Sequence, residues 1–489
     1  LVKALHRAAP GLYNDSMAIQ TLPRVTLRIP DRFDLIMGSA VVALLALVFG
    51  VIALGDRAGV VVTMVEARTG QVLGTDLAIG SGDVLRLQFS EPMDAASVQL
   101  AINPALPGTL RWSGASLTFA PDAAFLAGTR YTVTLKSGAR SQTGRAVLQD
   151  HQWTMQVRQP RVIYLAPAIR ARKGDPSNLY MVNGGAAPIQ LTSASYGVED
   201  FAPSPDGTRI AFSQYDAEGQ TDLYLLDLAT KSTRRLTRCI GATCRAPAWN
   251  PDGVRVLYER ADSTRFDSDA RAWIVDVDTL ATQPFFSEQR WLAQEPIWSP
   301  DGSAVTLYDS ERSAVVIVDV ATGHQSLLQT LENHSWQFSR DSKRLAYVQL
   351  QERPFGVVRG LEVADFRDGQ PTIRPLPPPD GSQVDDWLAV FHPDGTRLAV
   401  MRRYLDGERA TEKYQVYEIT LATGEAVPIA VDPNYAHGKI SYSPDGMQLL
   451  MQRYPYLEPD AQPGIWVYDA RSRALTQIAQ NGYLPEWLP

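Results

Sequence analysis

Six times between Phe201 and Gln452 the chain repeats one device: a short apolar run, a corner written Ser-Pro-Asp-Gly or a near variant, and a second apolar run. The copies read PSPDGTRIAFS from Pro203, WNPDGVRVLYE from Trp249, WSPDGSAVTLYD from Trp298, FSRDSKRLAYV from Phe338, FHPDGTRLAVM from Phe391 and YSPDGMQLLMQ from Tyr442. Their aspartates stand at 206, 252, 301, 341, 394 and 445, so the period runs from 40 to 53 residues. Self-similarity at that spacing, with strands on both sides of each corner, is the signature of a β-propeller with one four-stranded blade per repeat.

The corner recurs because of what its residues do. Proline presets φ for the first corner position, Asp hydrogen-bonds back to the local backbone, and Gly accepts the left-handed conformation that returns the chain. The aromatic two places before the proline position (Trp249, Trp298, Phe338, Phe391, Tyr442) is expected between adjacent sheets. Pro203 in the first copy and Arg340-Asp341-Ser342 in the fourth depart from the pattern, so those two corners are expected to be the least regular.

Third strands follow as DLYLLD from Asp222, AWIVD from Ala272, VVIVD from Val315, YQVYEI from Tyr414 and IWVYD from Ile465. One further set of outer strands precedes the first corner, at VIYLA from Val162, NLYMVN from Asn178 and PIQLT ending at Thr192, and it lacks an innermost strand. Leu484-Pro485-Glu486-Trp487 at the other end matches Ala246-Pro247-Ala248-Trp249 and supplies the missing piece. The reading is a ring over 161–489 closed by its last strand, with seven blades expected and six as the alternative.

These repeats resemble the TolB-type propeller repeats, related to WD repeats and to the propeller of prolyl oligopeptidases. The resemblance implies protein partners within the cell envelope. Prolyl oligopeptidases carry an α/β-hydrolase domain beside the propeller, and no Gly-x-Ser-x-Gly elbow, phosphate loop or His-Glu-x-x-His pair is present. The expectation is therefore that the chain is not an enzyme and uses no cofactor or metal.

Residues 60–158 read as short alternating strands punctuated by Gly and Pro, a β-sandwich. VLRLQFSEPMD from Val84, LRWSGASLTFAPD from Leu110 and GTRYTVTLKSG from Gly128 resemble the bacterial Ig-like domain of the SbsA type, whose implied role is a spacer. The overall fold class is all-β behind one N-terminal helix.

That helix is expected at 35–54, LIMGSAVVALLALVFGVIAL, an uncharged run about 30 Å long at 1.5 Å per residue. Lys3, Arg7, Arg24, Arg28 and Arg32 against Asp15, Asp31 and Asp34 place the arm 1–34 in the cytoplasm and the β-domains outside, a single-pass protein of the cell membrane. The competing reading is a cleaved signal peptide ending at Ala53-Leu54-Gly55. Cys239 and Cys244 are candidates for a local disulfide outside the cytoplasm. With 46 basic and 53 acidic residues and no basic patch interleaved with aromatics, nucleic acid is excluded as a partner.

Function is expected in the propeller's loops. Connections between second and third strands are long, varied and rich in Arg and aromatics, and they nominate Trp387, Tyr404, Tyr454 and Tyr456 as contacts to an envelope or membrane protein. Residues just before each innermost strand line the channel mouth: Glu199, Asp200, Glu295, His334, Asp385, Asp386, His437 and Glu486. The main reading is a protein-binding or scaffold module. The alternatives are a metal-dependent propeller enzyme, hydrolase or lyase, and a purely structural surface protein. The small-molecule ligand is unknown.

Overall fold

Each corner closes through side chain to backbone bonding in the computed structural model, which describes residues 32–55, 59–66, 70–169, 175–262, 270–287, 291–332, 335–353, 356–367, 371–458 and 461–489, with helix side chains over 36–50. In the first corner Asp206 Oδ1 accepts from the Thr208 N–H at 3.0 Å and from the Ser204 hydroxyl at 2.6 Å, while the Arg209 N–H donates to Ser204 Oγ at 2.9 Å. Gly207 takes φ 63°, and the glycines of four later corners repeat it. The two expected irregularities are absent. Ser342 holds φ 60° where the others have Gly, and the Lys343 N–H still donates to Asp341 Oδ1 at 3.1 Å.

Among the described residues the hairpins stack into seven four-stranded blades. The innermost strands of blades 1 to 6 are Val198–Pro203, Ala242–Trp249, Gln294–Trp298, Trp336–Phe338, Val384–Phe391 and Tyr435–Tyr442. Blade 7 is built from both ends of the ring. Tyr483–Leu488 pairs antiparallel with Arg161–Ala166, Trp487 opposite Val162, so the last strand becomes the innermost strand of a sheet whose outer three come first. This closure leaves no open seam in the ring.

Central blade strands are apolar on both faces because each blade is sandwiched by its neighbours. Ile210, Ala211 and Phe212 are all buried, and so are Val256, Leu257 and Tyr258. The motif aromatics do lie between blades: the Trp249 indole N–H donates to Ala202 O of blade 1 at 3.0 Å, and Trp487 to Ser441 O of blade 6 at 3.0 Å. Cys239 and Cys244 form a disulfide at the start of blade 2.

The preceding domain is a sandwich of two four-stranded sheets. Leu85, Leu87 and Phe89 from one and Tyr131, Val133 and Leu135 from the other fill its core, alternate residues facing inward as a two-sided strand requires. It packs on the corner side of the ring. The Ala127 N–H donates to Asp445 Oδ2 of the blade 6 corner at 3.1 Å, and Pro205, Pro251 and Pro300 share a cleft with Leu77 and Leu85. The opposite end of the channel is where a site must be sought.

One expectation is corrected. A helix does form over Arg32–Gly55, but no helix among the described residues is long and apolar enough to cross a membrane. The single-pass membrane localisation, with a cytoplasmic N-terminus and extracytoplasmic β-domains, is withdrawn with it. The arm through residue 31 and His334 lie outside the described residues.

Candidate functional site

The mouth of the channel is shaped by a bulge that recurs near the start of six innermost strands. Pairing with the second strand slips between Val198 and Asp200, Arg245 and Ala248, Gln294 and Ile297, Asp386 and Leu388, His437 and Ile440, and Tyr483 and Glu486. In three of them a residue other than Gly sits before a proline in the left-handed region: Ala246 at φ 51°, Glu295 at 49° and Leu484 at 48°. Such a conformation costs of order 1 kcal/mol and persists only where the surroundings impose it. Here they do so by capturing the bulged N–H. Asp200 Oδ2 accepts from Ala246 at 2.7 Å, Glu259 Oε1 from Glu295 at 2.6 Å, and Gln452 Oε1 from Leu484 at 3.2 Å.

The bulges turn ionisable side chains toward one another across the ring. Arg245 reaches Glu259 at 3.0 Å and Glu199 at 3.7 Å, and Lys439 of blade 6 pairs with Glu486 of blade 7. Lys439 of blade 6 also opposes the upward shift of the Glu295 carboxyl of blade 3. Five carboxyl groups (Glu199, Asp200, Glu259, Glu295, Glu486) thus gather with two cations, Arg245 and Lys439, among the described residues.

Desolvation is the largest influence on three of these acids and raises all three. Asp200, held by Ser213 and the Ala246 N–H, is pushed up to about 7. Glu199 is raised by burial against the opposing pull of Arg245. Glu295 is open to solvent yet walled in by the channel, and that partial desolvation, with the like charge of Glu259, outweighs Lys439 and Arg245. No group of three or more His, Cys, Asp and Glu among the described residues is disposed to hold a metal ion.

The other nominated residues serve different ends. Asp386 is fully buried and clamps fully buried Arg402 by two bonds at 2.7 and 2.9 Å. His437 is buried, its Nδ1–H donates to Tyr414 O at 3.0 Å, and burial lowers its pKa to about 4, so it stays neutral. Tyr404 is 2% exposed, packed edge-on against Tyr417 beneath Arg409, and offers little surface to a partner. Tyr454 is exposed, and Tyr456 donates to Glu412 at 3.2 Å. Trp387 is half-buried, with Arg359 4.6 Å over its ring and Tyr414 beside it. Asp385 ties this group together, accepting from Tyr414 OH at 2.6 Å and Arg403 at 2.9 Å.

The sequence reading missed Arg245, Glu259 and Lys439. Counting back three or four places from three of the five motif aromatics reaches Arg245 from Trp249, Glu295 from Trp298 and Lys439 from Tyr442, a register that needs the bulge to be recognised. Glu259 lies on a second strand, and nothing in the sequence marks it.

Residues 71–156 match the family described as Bacterial Ig-like domain. The chain is 22% identical over 229 residues to the Uncharacterized peptidase YuxL of Bacillus subtilis, covering 46% of this chain and 32% of that protein. It is 25% identical over 120 residues to Dipeptidyl-peptidase 5 of Porphyromonas gingivalis, covering 22% of this chain and 17% of that protein. It thus spans about a third and a sixth of these relatives. Among solved structures, TolB from Acinetobacter baumannii is similar at 14% identity and a TM-score of 0.40, over 80% of this chain and 83% of that one. The chain carries a seven-bladed propeller and a domain that matches the bacterial Ig-like family. Both curated relatives are peptidases by name, a finding that overturns the expectation of a chain without enzymatic function.

Proposed function

We propose that this chain is a propeller enzyme of the hydrolase class whose channel mouth binds the cationic group of its substrate, a peptide with a free amino terminus. The observation that carries the reading is the excess of carboxyl groups at the mouth, three of them raised by desolvation. Acids whose pKa values are perturbed by desolvation and by specific charge partners in a cleft are candidates for a functional site. An incoming ammonium group supplies the missing counter-charge and draws these acids into their ionised form. Glu199, half-buried and raised, is also placed to exchange a proton nearer neutrality than an ordinary carboxyl. The names of the two curated relatives support peptides as the substrate class.

The test is release of p-nitroaniline from Ala-Ala-p-nitroanilide and from its N-acetylated form. The free amine is expected to be preferred by ~10-fold or more in kcat/KM, and Glu199→Gln and Glu295→Gln to remove that preference. Equal turnover of the two substrates, or turnover of neither, contradicts the proposal.

A second reading, docking of a protein partner, is supported by the Arg359, Trp387 and Tyr414 stack beside the mouth, since Arg and large aromatics dominate interface energetics. Its test is Trp387→Ala, which should abolish capture of a partner without shifting the melting temperature.

A further inference from the structure

A second cleft, of about 340 Å³, lies on blade 6 at the same end of the ring as the channel mouth, on the face that packs toward blade 5, with Arg453 paired across from His437. Its floor is one row of the sheet: Arg453 pairs across to Gly464, and Gly464 to Gln480. The glycine lets the Gln477 amide lie close over the sheet. A Cβ there would run into Gln477 Nε2 and come within 3.0 Å of Trp466 Nε1. The backbone of Gly464 is not among those with positive φ, so the missing side chain serves to seat the Gln477 amide rather than to permit a chain conformation.

Arg453 is 4% exposed and gripped between two rings, 4.1 Å from the centre of Tyr435 and 4.9 Å from that of Trp466. Its Nε is buried with no hydrogen-bond partner, and Asp432 stands 3.6 Å away, beyond hydrogen-bond range. A guanidinium buried this incompletely satisfied carries a desolvation cost that a ligand oxygen can offset. Around it stand the amides of Gln462, Gln477 and Gln480, with Glu458 at the rim. Asp432 and Glu458 disfavour a free anion, whereas amides that both donate and accept match hydroxyl groups that do the same.

We infer that this cleft is a binding site for a neutral, hydroxyl-rich ligand, a saccharide, distinct from the acidic cluster of the channel mouth. Its size falls within the range of small-ligand pockets, ~300–1,000 Å³, and its walls pair aromatic rings with planar polar groups. The hydroxyls accept from Arg453 and the Trp466 indole N–H and exchange bonds with the three glutamines.

The test is titration of the full chain with cellotriose, maltotriose and the β-1,4-linked trimer of N-acetylglucosamine, read by saturation-transfer NMR and calorimetry. At least one should bind with a dissociation constant below about 10 mM. Gly464→Ala, whose Cβ displaces the Gln477 amide and crowds the Trp466 indole N–H, should weaken that binding ~10-fold or more. Gln477→Ala, an exposed change that leaves the core alone, should weaken it in the same direction at an unaltered melting temperature. Failure of all three sugars to saturate, or binding indifferent to both variants, overturns the inference. So does tighter, Gly464→Ala-sensitive binding of tri-galacturonate or of the tripeptide Gly-Gln-Gly, which assigns the cleft to another ligand class.

Discussion

The pair Asp386 and Arg402 shows how strictly a side chain buried in this ring is committed. Both are wholly enclosed, and each of two N–H donors meets its own carboxylate oxygen. Removing one partner strands the other charge, so Asp386→Ala should cost about 3–5 kcal/mol in urea denaturation. Replacing both together by Leu and Met should recover most of that loss. Asp200 predicts a pH effect. Its folded pKa, about 7, lies above the ordinary carboxyl value of 3.8, so the folded state holds a proton that the unfolded chain has released. Its contribution is therefore fully present below about 4 and is lost as pH rises through about 7. His437, lowered to about 4, acts in the opposite sense over much of the same window, so the wild-type curve alone mixes the two. The difference between wild type and Asp200→Asn isolates Asp200: the variant's melting temperature should gain on the wild type steadily from pH 4 to pH 7.

At the scale of elements, the corner hairpin was the most legible part of the chain. Pro, Asp and Gly are each required by the turn itself, so their order survives in the sequence wherever the turn occurs. Ser342 shows that the Asp and Ser bonds suffice to impose φ 60° without glycine, which explains why the fourth corner matches the others. Ser342→Gly relieves that conformation but removes the bond from the Asp301 N–H to Ser342 Oγ at 3.0 Å, so it should leave stability within about 1 kcal/mol of the wild type, measured by chemical denaturation. The bulges at the channel mouth were far less legible. A bulge is set by slippage against the second strand and by an acceptor on the preceding blade, as with Glu259 and the Glu295 N–H, and neither is local in sequence. Acids near the mouth could be nominated from position alone, but whether each faces the channel, as Glu295 does, or disappears into an ion pair, as Asp386 does, depends on those non-local contacts.

For the whole molecule, ring closure was readable because Leu484-Pro485-Glu486-Trp487 repeats the bulge and aromatic of Ala246 to Trp249, down to matching left-handed residues. Deleting Tyr483 to Pro489 should expose the edge of Arg161–Ala166 and the apolar side chains now covered by Trp487 and Leu488, producing aggregation or a large fall in melting temperature. The functional account stands on the charge at the open end of the channel, and calorimetric binding of Ala-Ala-amide as a function of pH tests it most directly. Ionised carboxylates bind an ammonium group and protonated ones do not. Affinity should therefore rise from pH 5 to about pH 7 and fall once the ligand amine deprotonates near ~8. Glu199→Gln with Glu295→Gln should lower it by ~10-fold or more at pH 7. Equal binding of N-acetyl-Ala-Ala-amide, or an affinity unchanged across pH 5 to 7 and by the paired substitution, contradicts the account.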